Sequence, residues 1–386
     1  TEEWYNHMTI KAKVMRVIQG IFACFAVILA IAFSKSLAKG CLYGIRICLN
    51  SLIPSLFFFM ALSSFLMQSG IGNKMFYPFC RLLSKWFRIE KKQVPIFCFS
   101  LLGGYPIGPK LIADAIKTGE LQQKTGEQML AFCVNCGPAF LISAVSVPIF
   151  HNYRIGLIVY LSQILASICI GCLVGRKQTT VTPQPVSVTQ PPSPHRSFSN
   201  EFVIAVQTSV KSMALVCAFV VVFTGITQIL KDTGVIAGIS SLLQHIMTKE
   251  AADCLIIGLL EVTSGCAQLS GCPSMPLFIL FTGFGGICVQ IQTKAILNQV
   301  GVKMRWFYLF RPIYLLLSYI FSMFLIRLCG GETAVFQAQD QIIRKNYTVS
   351  PAASVLLIIL SVVLLLSCKK SDTIETEQPL PGKEGI

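Results

Sequence analysis

Long apolar runs alternate with short, cation-rich polar stretches along almost the whole chain. A helix needs about 20 apolar residues to cross the hydrocarbon core of a bilayer. Residues 156–175, 202–230 and 306–328 meet that requirement as uninterrupted spans. Residues 18–33 fall short alone but reach it when 14–33 are counted, and 352–367 form a shorter last span. Residues 45–67 carry Pro54 about a third of the way in, where a kink is expected. Between 73 and 93 the pattern changes. Lys74, Arg81, Lys85, Arg88, Lys91 and Lys92 stand against Glu90, while Phe76, Phe79, Leu82, Leu83, Trp86 and Phe87 recur at helical spacing. That predicts an amphipathic helix lying on the membrane surface.

Other apolar runs are interrupted at their centres. Residues 94–116 contain Gly103-Gly104-Tyr105-Pro106-Ile107-Gly108-Pro109-Lys110, and residues 129–150 contain Asn135-Cys136-Gly137-Pro138. Residues 254–269 contain Glu261-Val262-Thr263-Ser264-Gly265, and residues 276–296 contain Gly283-Phe284-Gly285-Gly286 followed by Gln290 and Gln292. Proline lacks an N–H, and glycine admits backbone angles that other residues avoid, so a continuous helix is not expected at these places. Backbone groups freed at membrane depth are tolerated only where protein covers them or where they line a polar cavity. The order span, broken segment, broken segment, span recurs in the two halves. Interrupted segments at corresponding positions point to a central binding site, with half-helix N-termini directed at an anion.

This patterning predicts an all-α membrane protein, a multi-pass helical bundle with two internal repeats, each containing broken helices or re-entrant hairpins. The expected divisions are 1–44, an N-terminal helix and connector; 45–177, the first repeat; and 178–200, a linker rich in Pro, Thr and Ser. The second repeat follows at 201–330, then a loop, a C-terminal helix and a charged tail at 331–386.

Composition agrees with the pattern. The chain is 54% hydrophobic and 13% charged with a mean hydropathy of +0.67, whereas soluble proteins carry about 25% charged residues. A formal charge of +15 suits cytoplasmic loops beside anionic lipid. Because the cations sit between apolar runs, nucleic-acid binding is not expected. Lys11, Lys13 and Arg16 precede the first run and place the N-terminus on the cytoplasmic side. Most of the 16 cysteines lie in apolar segments and read as small hydrophobes. Cys133-Val134-Asn135-Cys136 has no second pair at zinc-ribbon spacing, so neither a metal site nor a cofactor is expected. No catalytic motif is apparent, and an enzyme is not expected.

Several stretches carry a family resemblance. Leu52-Ile53-Pro54-Ser55-Leu56-Phe57 resembles the LxPSLFPF signature of the YlbJ-type sporulation integral membrane proteins. Gly104-Tyr105-Pro106-Ile107-Gly108-Pro109-Lys110 is similar to that family's GYPxGAK, and Asn135-Cys136-Gly137-Pro138-Ala139-Phe140 to its N-x-GP-x-F. Leu260-Glu261-Val262-Thr263-Ser264-Gly265 resembles its LExTxG element. Pro109 departs from the usual alanine. The resemblance covers roughly residues 36–330 and extends to the wider nucleoside-recognition (Gate) family. It implies a transporter-like protein of endospore formers that moves dipicolinate across the outer forespore membrane.

Within this frame Lys110 is the expected contact for a substrate carboxylate, since a charge inside a membrane segment normally faces a cavity or a partner. Its alternatives are snorkelling to the interface and pairing with Asp114 one turn on. Glu261 is the expected complement, binding a coupling ion (Na+ or H+) or pairing with Lys110. Thr263 and Ser264 stand beside it. Asn135 either contacts solute or caps the following half-helix. Gln290 is favoured over Gln292 for the cavity wall. Tyr105, Gly104, Gly108 and Gly137 complete the expected substrate-binding set. Expected partners are a small-molecule solute and the lipid bilayer, with a homo-oligomer left open. The competing solute class is a nucleoside or other small molecule. The competing function is a non-transporting membrane scaffold needed for spore cortex formation.

Overall fold

The computed structural model describes residues 2–176 and 198–329. Most of the Pro-rich linker and the expected last span at 352–367 lie outside the described residues. Within them every element is a helix, and five helical stretches are long and apolar enough to cross a membrane, two of them (Ser34–Gln68 and Met275–Asn298) made of consecutive helices. In chain order the helices are α1 (Glu2–Ala32), α2 (Ser34–Ile47), α3 (Ile53–Gln68), α4 (Ile71–Met75) and α5 (Tyr77–Phe87). Then come α6 (Val94–Gly103), α7 (Ile107–Lys117), α8 (Gln123–Met129), α9 (Val147–Phe150) and α10 (Tyr153–Arg176). The second half contains α11 (Phe198–Asp232), α12 (Val235–Leu243), α13 (Lys249–Leu260), α14 (Val262–Gln268), α15 (Met275–Phe284), α16 (Gly286–Asn298) and α17 (Arg305–Leu328).

The stretch at 34–44, expected as part of a connector, is helical. It runs as α2 into α3, making one 35-residue span from Ser34 to Gln68. A wide π turn at Cys48–Leu52 joins the two, and the Ile53 N–H reaches back to the Cys48 carbonyl. This turn explains how the span accommodates Pro54, whose ring would clash with the carbonyl four residues back in a regular helix. Ser55 Oγ donates to the Ser51 carbonyl at 2.5 Å. The same arrangement recurs at Phe140–Ser146, a π turn immediately ahead of Pro148 in α9.

Helix α2 packs along α11, which brings the two halves of the chain together. The contact is made by a Gly40-x-x-x-Gly44 stripe. A methyl group added at Gly40 would sit 2.6 Å from the Thr224 carbonyl oxygen, and one at Gly44 would sit 2.9 Å from the Val221 Cα. In lipid, where apolar burial does not drive association, small residues of this spacing let helix backbones approach closely.

Helices α10 and α17 form a second close pair. Gly171 and Gly175 of α10 receive the Phe87 ring and backbone of α5, where an added methyl group would come within 2.6 and 2.7 Å. Phe87 also joins Phe97 and Phe132 in an aromatic cluster with centroids 5.0–5.7 Å apart. The expected amphipathic helix is therefore split into α4 and α5. It is docked by Cys80, Leu83 and Phe87, while Tyr77, Phe79, Leu82 and Trp86 stay exposed, Tyr77 at 72%.

Gly44→Leu should force α2 away from α11. It is expected to lower the stability of the detergent-solubilised protein by about 1–3 kcal/mol, as overpacking does. Gly238→Ala, where the added carbon meets nothing within 4 Å, serves as the control. Thermal unfolding followed by size-exclusion chromatography reads both, and equal midpoints would remove the packing role of the stripe.

Candidate functional site

The first break is a reversal of the chain. Helix α6 ends at Gly103, and Gly104 adopts φ 82°, ψ −170°, a region open essentially to glycine alone. Helix α7 then starts at Ile107 and returns along α6. A methyl group on Gly108 would sit 3.0 Å from the Ser100 Cβ, whereas eight residues of straight helix would separate them by about 12 Å. The second half does the same with other residues. Helix α13 ends at Leu260 and α14 starts at Val262, and a methyl group on Gly265 would sit 2.1 Å from the Gly258 Cα. Both are hairpins of two half-helices. The remaining breaks are an extended stretch at 134–137 and a left-handed pair, Gly285 and Gly286, at φ 82° and 69°.

These breaks meet one another. Gly104 lies against Gly137, where an added methyl group would come 3.2 Å from the Gly137 nitrogen. Gly286 lies equally close to the Val262 nitrogen at the tip of the second hairpin, and Gly285 faces the Tyr105 ring. Between them is a cavity of about 40 Å³, room for roughly three waters. Its polar wall comes from Gly104, Tyr105, Gly137, Glu261, Thr263 and Gln292, and its apolar wall includes Leu52, Phe140 and Val220.

Glu261 is the N-cap of α14. Its Oε1 accepts from the Thr263 N–H at 2.8 Å and its Oε2 from the Ser264 N–H at 2.6 Å. Both oxygens are thus engaged in satisfying the amides that open a half-helix. Beside the cavity a buried polar layer crosses from one half to the other. Tyr105 OH donates to the Thr282 carbonyl, and Gln163 Nε2 donates to Thr282 Oγ1 at 3.0 Å. Ser167 Oγ donates to Asn135 Oδ1 at 2.9 Å, while Asn135 Nδ2 donates to the Phe132 carbonyl at 2.7 Å.

Arg311 of α17 completes this layer. Its side chain is 2% exposed, and its guanidinium lies over the rings of Phe307 and Tyr314 at 4.8 and 4.5 Å. Nη1 donates to the Val134 carbonyl at 2.8 Å, whereas Nε and Nη2 have no hydrogen-bond partner among the described residues. The sequence reading passed over this residue because it lies near the start of a span already flanked by Lys303 and Arg305. The signal was a cation inside an apolar run, the same one that singled out Lys110.

Of the expected site residues, Gly104, Tyr105, Gly137, Glu261 and Thr263 border the cavity; Lys110, Gly108, Asn135, Ser264 and Gln290 do not. Lys110 Nζ donates to Ser212 Oγ of α11 at 3.0 Å and makes no pair with Glu261. Four residues, about one helical turn, separate it from Pro106 at the hairpin tip, and Asp114 one turn further on is exposed. Asp114 makes no close ion pair with it among the described residues. Gly108 instead permits contact with the Cys133 carbonyl. Asn135 bonds the turn that precedes it rather than capping the helix after it. Ser264 supplies its backbone N–H, and its hydroxyl has no partner among the described residues. Gln292, not Gln290, faces the cavity, because the helical phase of α16 is set by a start at Gly286.

The chain is similar to the sporulation integral membrane protein YlbJ of Bacillus subtilis (strain 168). The two are 23% identical over 313 residues, covering 73% of this chain and 76% of the relative. No protein-family model and no solved structure matches the chain. With the five membrane-length helical stretches, this similarity supports a multi-pass integral membrane protein.

Glu261→Gln would turn one of two carboxyl oxygens into an amide N–H facing another N–H. A loss of about 1–3 kcal/mol is expected, with faster hydrogen exchange at the Thr263 and Ser264 amides. Unchanged exchange at both would remove the capping role.

Proposed function

Starting from kinship with the YlbJ-type sporulation integral membrane proteins, we propose that this chain is a carrier for a small anionic or heteroaromatic solute. Dipicolinate, moved across the outer forespore membrane during sporulation, is the solute the family resemblance favours. The observation that carries the reading is the convergence of four backbone breaks, two from each half, on one cavity inside an apolar bundle. Breaks at membrane depth are costly unless they line a cavity or are covered by protein, and a central site between halves is their usual use in transporters.

The chemistry of the cavity suits an anion. The N-terminal ends of α7 and α16 border it through Pro106, Cys288 and Val289, and helix N-termini carry partial positive charge. The one carboxyl group on the wall, Glu261, has both oxygens committed to amides. At about 40 Å³ the cavity is far below the 300 Å³ or more that ordinary ligands need. Binding therefore requires the hairpins to part, with α7 moving against α11 and Lys110 leaving Ser212. Glycines at the breaks, Gly104 and Gly285 among them, are where such a motion would be absorbed. A coupling ion, Na+ or H+, belongs to the same proposal. So does the likeness to nucleoside-recognition (Gate) proteins, which makes nucleosides the competing solute class.

Uptake into proteoliposomes tests the reading. Saturable entry of dipicolinate is expected, with little entry of nucleosides. Tyr105→Ala, which removes a cavity wall and the bond to Thr282, should reduce uptake by roughly ten-fold or more. Lys110→Ala should lower the maximal rate while leaving half-saturation unchanged, because the lysine holds a moving hairpin rather than the solute. Absence of saturable uptake for dipicolinate, simple dicarboxylates and nucleosides alike would sink the carrier reading and favour a scaffold.

A further inference from the structure

A guanidinium offers two bidentate faces. Nη1 with Nη2 forms the end-on fork, and Nε with Nη2 forms the side-on fork. In Arg311 the end-on fork is broken by the bond from Nη1 to the Val134 carbonyl at 2.8 Å. The side-on fork is whole: neither Nε nor Nη2 has a hydrogen-bond partner among the described residues, and both are buried. Buried donors on a charged group are rarely left without acceptors, since each costs the full desolvation of that group. The rings of Phe307 and Tyr314 hold the guanidinium in place, leaving its orientation set and its donors unspent.

This fork also lies close to the cavity. Arg311 does not itself line the cavity, but Val134, which its Nη1 bonds, is two residues from Cys136, which does, and two residues span at most about 7 Å. Tyr105, another cavity residue, is within electrostatic range of Arg311, as is Cys136. Among the described residues no carboxylate lies within ion-pair distance of Arg311. The charge is therefore left for something that enters.

We propose that the Nε–Nη2 fork of Arg311 is the inner subsite that grips one carboxylate group of the transported solute. The assignment deepens the carrier reading and rests on it. The fork fits any planar pair of oxygens, and a carboxylate is favoured over free phosphate by the walls of the approach. Leu52, Leu56, Phe140, Val216 and Val220 give the cavity an apolar side that suits the body of an organic acid and offers no donors to a fully hydrated phosphate.

The test uses purified full-length protein in detergent, titrated with benzoate, with benzamide as the uncharged isostere and with inorganic phosphate. Binding is read by calorimetry and by the shift of the unfolding midpoint. Benzoate should bind to the wild type and benzamide and phosphate should not, a comparison that needs no variant. Arg311→Lys keeps a cation but has no fork, and should weaken benzoate binding about ten- to a hundred-fold. Equal binding of benzoate and benzamide, tighter binding of phosphate, no benzoate binding, or unchanged affinity in R311K would each overturn the assignment. Uptake separates the two readings. Saturable dipicolinate transport with the same half-saturation in R311K would leave the carrier standing without this subsite. Arg311-dependent benzoate binding with no transport of any solute would remove the carrier and leave a carboxylate-binding site.

Discussion

Backbone hydrogen bonding at membrane depth is the constraint on which this structure depends. Where the chain departs from helix, each N–H and C=O must find a partner inside the protein, at a cost of several kcal/mol when it does not. Here some partners come from the break itself and others from the opposite half of the chain. Glu261 supplies two acceptors to the amides opening α14. Arg311 supplies a donor to the Val134 carbonyl, from the other half of the chain. Tyr105 donates to Thr282, and Gln163 meets the hydroxyl of the same threonine. The bonds made by Arg311, Tyr105 and Gln163 thus tie breaks in one half to segments of the other. The close approaches of Gly104 to Gly137 and of Gly286 to Val262 follow from the same need, since any side chain there would hold the segments apart.

Under the proposed carrier function, these cross-connections bear on the motion required. The two halves are joined in different ways at different depths. On the flank, α2 and α11 are locked backbone to backbone through Gly40 and Gly44, a contact with little freedom to slide. At the centre the halves meet through side-chain hydrogen bonds, which in the proposed carrier are exchanged for bonds to the solute. Lys110 to Ser212 is a single flexible contact of the same kind. A rigid flank and an exchangeable centre are what a rocking motion about a fixed site requires. The π turns ahead of Pro54 and Pro148 place further irregular backbone in segments that adjoin the cavity through Leu52 and Phe140.

The positions of the breaks were legible in the sequence because glycine and proline act locally. Gly103-Gly104, Asn135-Cys136-Gly137-Pro138, Glu261 and Gly283-Phe284-Gly285-Gly286 mark the interruptions with little help from tertiary context. Membrane spans were legible for the same reason, through length and hydropathy. The reading failed where the answer depended on direction. Lys110 is four residues past Pro106, about one helical turn further along α7 than the cavity wall, and its reach to Ser212 of α11 is a tertiary contact that one-dimensional spacing does not resolve. Gln290 and Gln292 posed the same question of phase, which only the true start of α16 answers. The stretch at 34–44 looked like a connector because Lys35 and Lys39 interrupt its hydropathy, yet its glycine spacing was the mark of a packed helix.

Glu261 and Arg311, two buried groups that carry charge near the cavity, show how differently a charge can be accommodated in the same bundle. Glu261 is absorbed by the fold: both oxygens face amides at a helix start, and nothing further is required of it. Arg311 is absorbed only in part, by one carbonyl and two ring faces. A carboxyl group in such a place could shed its charge by taking a proton, but a guanidinium keeps its charge in proteins. Replacing it with an apolar residue would remove the desolvation cost and leave only the Val134 carbonyl to satisfy, which a neutral donor could do. A permanent cation whose Nε and Nη2 have no partner among the described residues is more than the architecture needs. Under the proposed carboxylate subsite, the arrival of an anion neutralises that excess, and the charge that matters sits on α17 rather than on the first hairpin.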